Sequence, residues 1–358
     1  MTGAVVVRLA AHGLALVSGA WSGWGDGAQR MNSSVTVLFS SAGRRVELME
    51  CFRSDARDLG INLRVIATDM VPSMSAACRA ADAAYAVPRC VEPEFIPRML
   101  ELCAAEKVSL VVPTIDTELL VLAEAQERFR AIGTRVMVSS PKLVRVARDK
   151  LRTVELLAQH RIPVPRSVPA EQLLNRPDSL RFPVLLKPYD GSSSIGVQSA
   201  DSPESLGRLN LDVQRYLAQE KWSGREYTIN QFYDQHGQLR ASVPHLRCEV
   251  RAGEVSKGVT ERHPLLMAMA EKIGAVLPGP RGVLCFQAIV DEAGEAIVFE
   301  INARFGGGYP LAHRAGARFS RWLLEEVSGA PATVNDNWQA GLTMLRYDAA
   351  VFVPPAAG

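Results

Sequence analysis

Residues 297–308, IVFEINARFGGG, set Glu300, Asn302 and Arg304 two apart, with Phe299, Ile301 and Phe305 between them, and then break into three glycines. Side chains alternate faces along a strand, so one face would carry a carboxylate, an amide and a guanidinium while the other is apolar. An ordinary half-wet strand has the same alternation; the sharper alternative is a metal and phosphate site. GVLCFQAIV and AIVFEINAR flank the turn DEAGE at 291–295 and read as a hairpin. A four-residue loop at 292–295 would pair Gln287 with Glu300, and a shift of two would leave them diagonal on the same face. Few charges and hard oxygen donors suit Mg²⁺, which takes one or two carboxylates plus phosphate oxygens. Arg304 can give two hydrogen bonds to a phosphate or carboxylate.

A second group of residues strengthens the sharper alternative. Lys187 closes the strand FPVLLKP (182–188), and YDGSSSIGV (189–197) follows. Free N–H groups of Gly191, Ser192, Ser193, Ser194, Ile195 and Gly196 could close over phosphates. Val197 stands where a Walker A loop has its lysine, and the loop joins two strands, so the pattern predicts a β-hairpin flap. A plain flexible turn is the other account. QEKWSGREYT (219–228) passes from a strand into a linker and then Glu226. In a nucleotide site such a linker can offer backbone groups to adenine, and Glu226 can accept from ribose hydroxyls. Alternatively Glu226 is a surface carboxylate beside Arg225.

These residues need a frame to hold them. The chain has 358 residues, 47% hydrophobic and 22% charged, which suits two or three packed units. A net charge of +2 gives no reason to invoke nucleic acid or an anionic membrane. The six cysteines form no CxxC pair and have no histidine at zinc spacing, so they are expected to be reduced thiols in a cytosolic protein. His245, His263 and His313 read as structural or surface residues, and no Ser/His/Asp or Cys/His set can be argued. Residues 1–34 are rich in Ala, Gly and Val, with an apolar run broken at His12 and Gly13. They read as a disordered or mis-started extension, with a weak signal peptide as the alternative and no transmembrane span.

From residue 35 to about 142, strands at 35–39, 63–69, 108–113 and 135–140 alternate with helices at 45–59, 95–107 and 118–130. That pattern predicts an α/β domain with a parallel sheet. Its strand ends carry Ser40, Ser41, Asp69, Thr114 and Asp116, where ligands of such sheets bind. Asp116 and Glu118 could hold an ammonium group, and Arg44 and Arg45 an anion near a helix start; Asp116 serves equally well as a helix cap. The loop SSAGRR lacks G-x-G-x-x-G, so a dinucleotide site is poorly supported. From 143 to 350 the pattern becomes α+β: one helix over 143–162, a small flap-bearing unit at about 163–220 with a helix at 203–217, antiparallel strands, a helix at 264–276, the hairpin 283–302 and a last helix at 311–327.

Taken in order, Lys150, Lys187, residues 190–196, 219–226, Gln287 and EINAR resemble the ATP-grasp superfamily. SSAGRRVEL, PTIDTEL and EINARFGGGYPLAHRAG are similar to its carbamoyl-phosphate-synthase-like stand-alone group. The resemblance covers about residues 35–345 and implies a parallel-sheet domain followed by an ATP-grasp fold of two subdomains. It implies that Lys150 and Lys187 hold ATP phosphates and that residues 191–196 form the flap. Glu220, Lys221 and Trp222 would line adenine, and Glu226 would bind ribose. Gln287, Glu300 and Asn302 would ligate two Mg²⁺ ions, with Mn²⁺ as an alternative, and Arg304 would steady an acyl-phosphate. The implied reaction is ATP-dependent activation of a carboxylate for attack by an amine; a nucleotide-binding protein without catalysis is the other reading. The chain has one synthetase unit and lacks the MGxHTG stretch of carbamoyl-phosphate synthase. LRCEVRAGEVSKG (246–258) fills that zone, so Arg247 and Lys257 become candidates for holding the substrate carboxylate or the phosphate. The alternative for both is solvated surface charge. Partners would be a small-molecule acid and amine, and a homodimer stays open.

Overall fold

The computed structural model describes residues 34–191 and 195–353. The expectations for the N-terminal extension before Ser34, and for Ser192, Ser193 and Ser194, lie outside the described residues.

The centre of the first sheet is built from short apolar, largely β-branched runs buried on both faces, as parallel strands between helices require. β1 (Ser34–Ser40), β2 (Asn62–Asp69), β3 (Ala83–Ala86), β4 (Leu110–Pro113) and β5 (Arg135–Val136) pair in parallel in the order β3-β2-β1-β4-β5. Strand order reverses between β1 and β4, so the crevice of this sheet opens at Ser40–Ser41 and Thr114–Asp116. β3 was not expected: AAYA has little β-propensity, and only its place beside β2 makes it a strand.

A small antiparallel sheet follows, from β6 (Ser167–Pro169), β7 (Val184–Pro188), β8 (Gln198–Ala200) and β9 (Tyr216–Glu220), in the order β6-β9-β7-β8. Ala170, Leu173, Leu180, Val184, Leu186, Ala200, Leu206 and Ala218 give it a core of its own. The larger antiparallel sheet contains β10 (Arg225–Tyr233), β11 (Leu239–Arg251), β12 (Glu254–Thr260), β13 (Gly282–Val290), β14 (Ala296–Asn302) and β15 (Thr343–Leu345), ordered β14-β13-β10-β11-β12-β15. Its core merges with that of the first sheet: Phe39 and Val112 share a cluster with Phe232, Phe305 and Trp322. Polar links reinforce the join. Buried Asp55, from the helix Val46–Leu59, accepts from Ser320 and Arg318 and lies 3.1 Å from His313 Nε2. Ser320 and His313 both serve the carboxylate, so this Ser/His/Asp set is structural.

Four helix expectations need correction. The helix expected at 118–130 breaks at Ala125 into Leu119–Glu124 and Gln126–Ala131. The helix expected at 143–162 is two, Pro141–Arg148 and Lys150–Gln159, because the Asp149 side chain accepts from the N–H groups of Leu151 and Arg152 and starts a new helix. The helix expected at 203–217 is only Pro203–Gly207 followed by a 3₁₀ turn at Val213–Arg215, since Gly207 and Asn210 are weak helix formers. The last helix splits into Tyr309–Arg314 and Phe319–Ser328 around Gly316, which has φ +108°. Among the described residues no helix is long and apolar enough to cross a membrane.

Candidate active site

The small and large sheets enclose a cleft of about 330 Å³. The hairpin β13–β14 forms its floor, and the register pairs Gln287 with Glu300 and Cys285 with Asn302. One residue of β14 is extra between Gln287 and Ala288 of β13, a bulge at Phe299. Strict alternation would send Phe299 to the face opposite Glu300. The bulge turns it into the cleft, where its ring lies 5.1 Å from Lys187 Nζ, close enough for a cation–π contact. Sequence reasoning missed Phe299 because a bulge leaves no mark in the apolar/polar pattern.

Lys187 is the last residue but one of β7, and its Nζ donates to Gln219 Oε1 at 2.7 Å. Burial pulls its pKa down to about 8; Glu300 and Glu226 oppose the shift, and Lys150 adds to it. Lys150 is the first residue of its helix; its N–H donates to Tyr189 O at 3.1 Å, and Nζ donates to Gly191 O and stands 4.0 Å from Glu300 Oε1. The break at Asp149 thus ties this lysine to Tyr189 and Gly191, just after β7. Burial raises the pKa of Glu300, against the lowering effect of Lys150, Lys187 and Arg304. Burial thus makes the charged form of this carboxylate costly even beside three cations. Asn302 is buried, and Gln287 faces both neighbours: with its amide nitrogen 3.0 Å from Glu300 Oε2, its oxygen accepts from Arg247 Nη1 at 3.1 Å. To serve a metal ion the amide would have to present its oxygen, which in this orientation faces Arg247.

The donor set of one carboxylate and two amides fits Mg²⁺ completed by phosphate oxygens. Among the described residues no three His, Cys, Asp or Glu side chains gather as a metal site, so a zinc-type cage is not what the cleft offers. Cys285 lines the cleft, but burial pushes its thiol up to about 11, which leaves it inert.

Gly191, Ile195, Glu220, Trp222, Glu226 and Arg247 also line the cleft. Leu185, Ile289 and Ile297 give that end an apolar surface suited to a flat ring. Lys221 does not line it: its side chain is exposed and its N–H donates to Pro183 O at 3.0 Å. Gly196 is likewise absent from the lining. Glu226 is paired with Arg247 Nε at 2.9 Å, so the expected ribose carboxylate already has a cationic partner. Lys257 needs correction. It is half exposed on β12, paired with Glu249 at 2.7 Å, and does not line the cleft, because a register irregularity around Glu249 turns that stretch outward. Glu118 is also corrected: fully buried, it accepts from Thr114 N, Ile115 N and Ser41 Oγ and has no room for an ammonium group.

Arg304 closes the far end of the cleft. Its Nη2 donates to Asp116 Oδ2 at 2.7 Å and its Nη1 to Phe305 O at 3.1 Å. Arg45 lies beside it, paired with Glu254 at 3.3 Å, so the loop after β1 does reach the cleft. Gly306, Gly307 and Gly308 form the wall there. Gly308 has no room for a side chain: a Cβ there would sit 2.6 Å from His245 Nε2 and 2.8 Å from Val255 Cγ1. His245 is fully buried, and burial, helped by Arg247, holds it neutral with a pKa of about 3. Gly308→Ala is expected to cost about 1–3 kcal/mol through overpacking. Urea denaturation checks this, and an unchanged midpoint would contradict the close packing.

A pH dependence also follows. With its pKa lowered to about 8 by burial, Lys187 gives up its proton around pH 8 when no anion faces it. A bound phosphate stabilises the charged form and raises that pKa. Nucleotide binding should therefore take up protons above pH 8, and affinity should fall as pH rises through that value. Calorimetry in buffers of different ionisation enthalpy measures the uptake; proton release there would contradict the assignment.

Residues 37–137 match the family described as PylC-like, N-terminal domain, and residues 147–308 match the ATP-grasp domain family. The D-alanine–D-alanine ligase of Francisella philomiragia is 26% identical over 195 residues, covering 49% of this chain and 63% of that relative. Among solved structures, the biotin carboxylase domain of Hydrogenobacter thermophilus 2-oxoglutarate carboxylase, in complex with MgADP, ADP and bicarbonate, is similar with a TM-score of 0.68 and 16% identity, over 86% of this chain and 73% of that one. N5-carboxyaminoimidazole synthetase from Staphylococcus aureus is similar with a TM-score of 0.63 and 14% identity, over 85% and 79%. These likenesses agree with the parallel-sheet domain, the two antiparallel sheets and the cleft between them. On the two matched domains, the chain belongs to the ATP-grasp superfamily.

Proposed function

We propose that this chain is an ATP- and Mg²⁺-dependent ligase that activates a carboxylate as its acyl-phosphate and passes the acyl group to an amine. One observation carries the reading: Lys150, Lys187, Gln287, Glu300, Asn302 and Arg304, scattered over the chain, line one cleft. Lys150 and Lys187 hold the ATP phosphates under the flap. Leu185, Ile289 and Ile297 flank adenine beside Glu220 and Trp222, and Glu226 takes the ribose. Glu300 and Asn302, with Gln287 turned over, would hold two Mg²⁺ ions, whose chemistry there would be charge neutralisation during phosphoryl transfer. Arg304 and Arg247 hold that group's oxygens while a carboxylate oxygen attacks phosphorus and ADP leaves. The amine nitrogen then attacks the acyl carbon, the bond to phosphate oxygen breaks, and a proton leaves the nitrogen to give the amide. The unpaired state of the cysteines supports a reducing, cytoplasmic setting.

The test is ADP release across a matrix of acids and amines, with amino acids first because the matched relatives include D-alanine–D-alanine ligases. ADP formation that needs both substrates and yields an amide supports the ligase. MgATP binding with no turnover across a broad matrix would favour a non-catalytic nucleotide-binding protein.

A further inference from the structure

We propose that Asp116, in the first domain, is a positioning residue that aims Arg304 at the transferred phosphoryl group. The inference rests on the ligase reading and adds a part to it from outside the matched ATP-grasp domain.

Arg304 follows the floor strand, and Asp116 lies in the turn after β4, 188 residues away in sequence. Both side chains are nearly buried, at 13% and 12% exposure, so solvent screens their 2.7 Å contact weakly. The contact fixes Nη2, which also lies 3.3 Å from Asn302 Oδ1, while Phe305 O fixes Nη1. Nε is buried and has no hydrogen-bond partner. A buried donor without a partner is costly. Here it belongs to a residue that lines the cleft, and a phosphate oxygen would satisfy it.

The turn bearing Asp116 is itself fixed. Glu118 accepts from Thr114 N at 2.8 Å, from Ile115 N at 3.2 Å and from Ser41 Oγ at 2.8 Å, and Thr114 Oγ1 donates to Ser41 O at 2.7 Å. These bonds lock the turn after β4 to the loop after β1. PTIDTE thus acts as a bracket: Glu118 stiffens it, and Asp116 projects from it to the arginine.

Simple electrostatics and positioning predict opposite signs for one experiment. Asp116 is an anion near an anion site, so removing its charge should tighten phosphate binding if charge alone matters. If Asp116 aims Arg304, removing it should weaken binding. The probe is inorganic phosphate titrated into MgADP-loaded protein by calorimetry. Asp116→Asn is expected to weaken phosphate about tenfold, to leave MgADP affinity unchanged, and to add nothing in an Arg304→Ala background. Should Asp116→Asn fail to fold, Asp116→Glu moves the carboxylate by one methylene, and weaker phosphate binding is again expected. Equal or tighter phosphate binding with normal MgADP affinity overturns the positioning role. Failure of the wild-type protein to bind MgADP would instead defeat the ligase reading and this inference with it.

Discussion

Replacing Glu300 with Gln is expected to cut turnover by about 10³-fold or more while leaving the fold intact. Among Gln287, Glu300 and Asn302 it alone carries a charge, so it supplies the protein's share of the attraction for a divalent ion. The change is isosteric, and Lys150 stands 4.0 Å away, so little packing is lost. Burial already raises the carboxyl pKa, which means the charge is held at a cost. Neutralising it should therefore leave stability unchanged or slightly raised. Magnesium dependence of ADP release and a melting curve, measured together, check both halves. Turnover near that of the wild type would remove the metal assignment.

Lys187→Met should weaken MgATP by about 10- to 100-fold, the range for losing one or two charged hydrogen bonds. The methionine keeps an unbranched stem against Phe299, so the effect reports the charge. Lys187 is depressed to about 8 mainly by burial. Its folded pKa lies below its unfolded value, so at neutral pH the protein carries a desolvated cation that opposes folding. That penalty fades as pH rises through about 8, where the folded state gives up the proton first. The variant should hence be as stable as the wild type or more so at pH 7, with weaker nucleotide binding. Loss of stability with unchanged affinity would mean that Lys187 is structural.

Much of this site was legible from spacing. Glu300, Asn302 and Arg304 follow one another on a strand; the Gln287–Glu300 pair was expected from a four-residue loop, but the strands resume one residue off, at Val290–Ala296, and the bulge at Phe299 restores the pair. Lys187 at a strand end and Glu226 after a linker are equally local signals. What was not legible depends on departures from regular structure or on distant contacts. The bulge at Phe299 and the irregularity around Glu249 redirect side chains without changing composition. One brings Phe299 into the cleft, and the other leaves Lys257 out. The Asp116–Arg304 and Arg45–Glu254 pairs join residues that only the packing of the two domains brings together. For the helices, the spacing located the apolar faces well. Breaks at Asp149, Gly207 and Gly316 were missed because apolar periodicity continues across them.

The account turns on one physical event, the gripping of a magnesium nucleotide between the small and large sheets. Calorimetric titration of MgATP into the protein, repeated with ATP plus excess chelator, measures it without knowledge of the acid or amine. Saturable binding that weakens sharply without magnesium, and that Lys187→Met reduces, is the predicted result. A folded protein that gives no binding with magnesium, or the same binding without it, would contradict the account.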